Sequence, residues 1–207
     1  MDAEREWWRR TLAVVAHPRP VFEALRNEDE DDLDARQEPL LAIVWLLGIA
    51  WVLADPVTGS IFDEPDYDWL VTAVWAFIYG GVVGFGAYWV LGGCLALGLR
   101  GLGSDGSYRR ARHLIGFAGV PFVLSLAVFV VRLLVHGGDV LSEGGDDEGT
   151  LGTLLYAAQL AGAVWTLGLV AYGVRAVEGW TWWRVAASLG LLVVFLAAFV
   201  VLAEGLV

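Results

Sequence analysis

The chain has 207 residues, 57% of them hydrophobic, with a mean hydropathy of +0.62 and a formal net charge of −11 at pH 7. A soluble domain of this length fills one core and still needs a largely polar surface, so the composition excludes a soluble protein. The acid excess gives no basic footprint for a nucleic-acid partner, and all thirteen basic residues are Arg.

Residues 1–38 read as a cytoplasmic N-terminal segment ahead of a transmembrane domain over 39–207. Residues 3–16 are predicted to form an amphipathic helix, with Trp8, Leu12 and Val15 on one face and Arg5, Glu6 and Arg9 elsewhere on the wheel. Trp7 and Trp8 beside Arg9 and Arg10 are the composition of a helix anchored in the membrane interface. Pro18 and Pro20 end it. A second short helix is expected over 21–27 with Pro20 at its first position and with Phe22 and Leu25 toward the membrane. The acid run over 28–34 reads as a solvated linker. The apolar stretch 12–16 is too short for a signal sequence, so the first span is expected to direct insertion.

Five apolar spans follow, over 40–54, 70–99, 113–135, 151–174 and 183–203. A crossing helix needs about 20 apolar residues. The first span reaches only fifteen before Asp55, so it is expected to run past Pro56 or to sit in thinned bilayer. The second is long for one perpendicular crossing, which predicts tilt or a break near Gly80-Gly81 or Gly92-Gly93. Pro121 should kink the third. Trp69 marks the start of the second span, and Trp180, Trp182 and Trp183 crowd the turn between the fourth and fifth, where an aromatic belt belongs. Gly80 and Gly84, and Ala158 and Gly162, have the four-residue spacing that lets helices approach closely in lipid. The favoured reading is packing within the chain, and a homo-oligomer through the same faces is the alternative.

The arginines alternate along these spans. Six precede the first, four lie between the second and third, two between the fourth and fifth, and Arg132 alone lies inside one. Positive residues are retained in the cytoplasm. The expected topology is therefore a multi-pass protein of the cell membrane with its N-terminus inside and its C-terminus outside. Eleven acids precede the first span and five sit in each outer loop. Acids on both faces suit a halophilic environment better than a single basic partner.

Little chemistry is visible. His17, His113 and His136 form no ligand spacing, and no His-Glu-x-x-His or Gly-x-Ser-x-Gly is present. Gly101-Leu102-Gly103-Ser104-Asp105 lacks the Lys of a phosphate loop and a second intramembrane Asp. Cys94 is single. No catalytic, metal or cofactor-binding residue is expected. Arg132 lies four residues before His136, close enough to the outer boundary to snorkel. The alternatives are a structural ion pair with Asp55 and a role with a substrate or ion. Gln159, Ser125 and the span tyrosines are expected to make interhelical hydrogen bonds.

Three stretches carry a resemblance. Pro18-x-x-x-Phe22-x-x-Leu25 precedes the first span. Gly103-Ser104-Asp105-Gly106-Ser107-Tyr108-Arg109 leads into Leu114-x-Gly116-Phe117-Ala118-x-Val120-Pro121. Trp165-x-x-x-Leu169-x-x-x-Gly173-x-Arg175 joins the fourth and fifth spans, ahead of Ala186-Ala187. Their order and spacing resemble the Yip family of five-span membrane proteins, the Ypt/Rab-interacting proteins of eukaryotes and their prokaryotic relatives. Together with the acid bias, the resemblance points to a prokaryotic, haloarchaeal-type member. It implies an all-α membrane bundle with termini on opposite faces. Eukaryotic members bind prenylated Rab GTPases and act in vesicle traffic and membrane shaping. They carry a longer cytosolic region, whereas Glu38-Pro39-Leu40-Leu41 runs straight into the first span here, so Rab binding is not carried over.

The expected function is non-enzymatic: a membrane organiser or a scaffold for a membrane or cytoplasmic protein partner. The alternative is a small transporter or channel subunit with Arg132 and Asp55 lining a half-open cavity.

Overall fold

A computed structural model describes residues 11–27, 37–54, 69–137, 140 and 149–205. Every regular element among them is helical. In lipid a spanning segment must satisfy its own backbone hydrogen bonds, and a helix does so within one segment. A short helical run over 11–16 is followed by α1 (Pro18–Asn27), α2 (Gln37–Ala54), α3 (Trp69–Gly101), α4 (Tyr108–Ala118), α5 (Val120–His136), α6 (Thr150–Glu178) and α7 (Trp182–Glu204). Four stretches are long and apolar enough to cross a membrane, most of α3, α4 with α5, α6, and α7, and α2 contributes a shorter apolar run over Leu40–Ala54. The protein is an all-α polytopic membrane protein. Broad apolar faces with Leu167 70% and Leu202 68% exposed are surfaces for lipid rather than water.

The centre of the bundle is α3, which packs on α2, α4 and α7, while α6 packs on α5, α1, α4 and α7. Over its 33 residues α3 is unbroken and about 50 Å long. The break expected at its glycine pairs does not occur, because a glycine facing a neighbouring helix is held by that contact. A Cβ on Gly48 of α2 would overlap the Gly80 carbonyl oxygen, and one on Gly84 would overlap that of Val44. One on Gly80 would come within 2.7 Å of Ile49 Cα. Trp45 lies over Gly81, with the Phe77 and Phe85 rings 5.2 and 5.4 Å away. These small residues therefore join α2 to α3 within one chain. Since the hydrocarbon core is about 30 Å thick, α3 must tilt or project beyond it.

The third apolar stretch is interrupted near Pro121, with the break at Gly119. Pro121 has no N–H for the Phe117 carbonyl, and its ring crowds that oxygen. Gly119 N–H donates back to Ile115 O (3.1 Å), while Phe122 and Val123 N–H groups both donate to Gly119 O (3.0 and 3.1 Å). Leu47 of α2 fills the elbow beside Gly119.

The N-terminal helix departs from expectation in two respects. α1 opens at Pro18 rather than Pro20, and both prolines fall in a first turn whose N–H groups need no helical acceptor. Phe22 and Leu25, expected to face the membrane, are 0 and 1% exposed inside the protein. The reason is Gly173. Its missing side chain leaves a notch on α6, and the Phe22 ring lies 2.9 Å from where its Cβ would be. Burying such a ring contributes about 1.5–3 kcal/mol.

Candidate functional site at the arginine-rich end

The α3–α4 turn, the α6–α7 turn and the C-terminal end of α1 converge at one end of the bundle. α3 stops in a hydrogen-bonded turn: Ser104 N–H donates to Leu99 O (3.1 Å) and Gly103 N–H to Arg100 O (2.9 Å). Gly103 has φ +82°, the left-handed conformation this helix ending requires. Ser104 Oγ accepts from Gly106 N–H at 3.0 Å, and Ser107 Oγ caps α4 by accepting from Arg110 N–H at 3.2 Å. The family-like run Gly103 to Tyr108 is thus a helix stop followed by a helix start. α6 ends similarly at Gly179, φ +69°, whose N–H donates to Arg175 O at 2.8 Å.

Arginines and aromatic rings tie these ends together. Arg184 Nη2 donates to Leu102 O, and its guanidinium lies 4.2 Å from the Trp180 ring centroid. Arg175 stacks over Trp182 at 4.6 Å. Arg26, at the end of α1, reaches Gly179. Trp180 and Trp182 therefore serve as platforms for arginine, and Trp183, 83% exposed, projects outward.

One arginine lies deeper. Arg112, on the second turn of α4, is 4% exposed. α4 lies close against α3 at Gly92, where a Cβ would stand 3.0 Å from Arg112 Cα and overlap its Cγ. The guanidinium carbon is 3.8 Å from the Trp89 ring centroid, 4.7 Å from Tyr108 and 5.4 Å from Tyr88. Tyr108 Oη donates to Trp89 O at 2.9 Å, which fixes two walls of this box to each other. Arg112 Nε and Nη1 are enclosed without a hydrogen-bond acceptor among the described residues. By charge alternation Arg112 counts only as one of the four arginines between the second and third spans. The spacing of Tyr108 and Arg112, four apart on one helix face, was the signal available.

The remaining predicted residues fall elsewhere. Trp7, Trp8, Arg9, Arg10 and Asp55 lie outside the described residues, and α3 begins at Trp69. Over 11–16 the inward side is Thr11 and Val14, and Leu12 is 60% exposed. Phe22 meets Gly173, and Leu40 covers Gly116. Pro121 O lies 3.2 Å from where a Gly162 Cβ would be, so α5 and α6 touch there. Trp165 is half exposed on the bundle's flank, away from this end. Arg132 Nη1 donates to Gln159 Oε1 at 2.7 Å, joining α5 to the buried face of α6. Cys94 is a free, buried thiol in α3. Among the described residues no His, Cys, Asp and Glu cluster could hold a metal ion. The arginine-rich end is thus cationic and aromatic, and its chemistry is that of anion and interface binding.

A family model described as the Yip1 domain matches residues 12–203. No curated protein and no solved structure matches the chain.

Proposed function

Because the chain belongs to the Yip1 domain family, we propose that it is a non-enzymatic organiser of the bilayer. In this reading the arginine-rich end faces the cytoplasm, as the arginine asymmetry requires, and the protein resides in the cell membrane. The observation that carries the reading is the docking of α1. Phe22 in the Gly173 notch and Arg26 at Gly179 hold an extra helix against α6 at the arginine-rich end. An extra helix seated in one leaflet acts as a wedge, and a wedge in one leaflet bends a membrane. Arg132 tied to Gln159 across α5 and α6 supports a structural task for the intramembrane arginine over transport. The same end offers arginines and tryptophans to the headgroup layer and to a cytoplasmic or membrane protein partner.

Electron microscopy of proteoliposomes tests this, with the chain inserted from outside into preformed vesicles. The mean vesicle diameter should fall as the protein-to-lipid ratio rises, and Phe22→Ala should weaken the effect. Equal diameters with wild type, Phe22→Ala and empty vesicles would remove the wedge reading.

A further inference from the structure

Arg112 carries its charge into the protein with no acceptor for two of its nitrogens among the described residues. A guanidinium has five N–H donors, and leaving them unfilled in a desolvated site is costly. The three rings offset part of that cost through cation–π contact. They supply no hydrogen-bond acceptor in the guanidinium plane.

The level of the box in the membrane follows from its neighbours. Leu40, one turn into α2, lies against Gly116, one turn after Arg112. The first and third passes both run away from the arginine-rich end. Arg112 therefore sits level with Gln37, where α2 begins and the first apolar span has yet to start. On the proposed five-pass arrangement, that is the depth of headgroups rather than acyl chains. Trp89, 44% exposed, is the box's wall toward the surroundings, and Tyr88 closes it from inside at 2%.

We infer that the Arg112 box is a phosphate-binding site, in which the guanidinium takes two phosphate oxygens and Trp89, Tyr108 and Tyr88 shield the pair. A phosphate matches the arginine fork bidentately, as no single backbone carbonyl can. Its chemical source is either a phospholipid headgroup or free phosphate. Binding here is independent of vesicle shaping, so a chain that leaves vesicles unchanged can still hold phosphate.

The full chain in a non-ionic, phosphate-free detergent provides the test, read by thermal unfolding. Dioleoyl phosphatidylglycerol, a diglucosyl diacylglycerol with the same acyl chains, and inorganic phosphate are added separately. At about a hundred times its dissociation constant, phosphatidylglycerol should raise Tm by roughly 5–10 °C over the sugar lipid. A matching rise with inorganic phosphate identifies free phosphate as the source, and a rise with the lipid alone identifies the headgroup. Arg112→Gln and Arg112→Lys should both lose the rise, the latter because lysine has charge without the fork. Arg100→Gln, exposed at the same end and outside the box, should keep it. A phospholipid with a photoreactive headgroup, crosslinked to wild type, should map to peptides holding Trp89 and Tyr108; this readout needs no variant to fold. No rise above the sugar lipid, a rise that survives in Arg112→Lys, or crosslinks confined to other peptides overturns the site.

Discussion

A methyl group on Gly84 would overlap the Val44 carbonyl oxygen, whereas one on Gly86, two residues on, would meet nothing within 4 Å. Gly84→Ala should therefore destabilise the solubilised bundle by about 1–3 kcal/mol. Gly86→Ala should be neutral, or slightly stabilising through helix propensity. Equal Tm changes for the two would show that α2 and α3 do not meet at Gly84. The Arg132–Gln159 hydrogen bond makes a second residue-level prediction. Such bonds between membrane helices contribute about 0.6–2 kcal/mol, so Arg132→Ala and Gln159→Ala should each lower Tm and their double variant should cost less than the sum. Strict additivity would break the link. At this scale the sequence was partly legible. The spacing of Gly80 and Gly84 pointed to a helix contact, but their partner Gly48 lies on another helix and no local pattern joins them. Arg112 escaped because charge counting assigns every arginine near a span to the adjacent loop. The Ser107 cap starts α4 at Tyr108, five residues before the apolar run begins, and carries Arg112 into the protein.

At the scale of elements, apolar run length located the four long apolar helices and the shorter one, because lipid leaves an apolar chain no other way to satisfy its backbone. Proline chemistry located the helix break in the third apolar stretch. Run length did not reveal that α3 stays unbroken through its glycine pairs, since that depends on neighbours that brace them. Nor did it reveal where α1 goes. Amphipathicity shows that Val21, Phe22 and Leu25 share an apolar face, but lipid and protein satisfy such a face equally well. The notch at Gly173 that decides between them lies some 150 residues along the chain. Docking of α1 predicts that Phe22→Ala, a large-to-small change at a fully buried site, costs about 3–5 kcal/mol. Limited proteolysis after Arg26 should then become faster while the remaining passes stay protected. An unchanged cleavage rate would place α1 off the bundle. Gly173→Leu, which fills the notch from the other side, should release α1 in the same way.

For the molecule as a whole, the docked helix, the arginine–tryptophan platforms and the Arg112 box share one end, and each functional inference gives that end to the cytoplasmic leaflet. The alternation of arginines along the spans supports this orientation, since Arg26, Arg112, Arg175 and Arg184 all belong to the same side of the five-pass alternation. The measurement that bears most directly on the account is a topology map with a reporter active only in the cytoplasm. Fused after Gly106, in the turn between α3 and α4, the reporter should be active; fused after Val207 it should be silent. An active C-terminal fusion would contradict the five-pass bundle, and a silent fusion at Gly106 would put the arginine-rich end on the wrong side of the membrane.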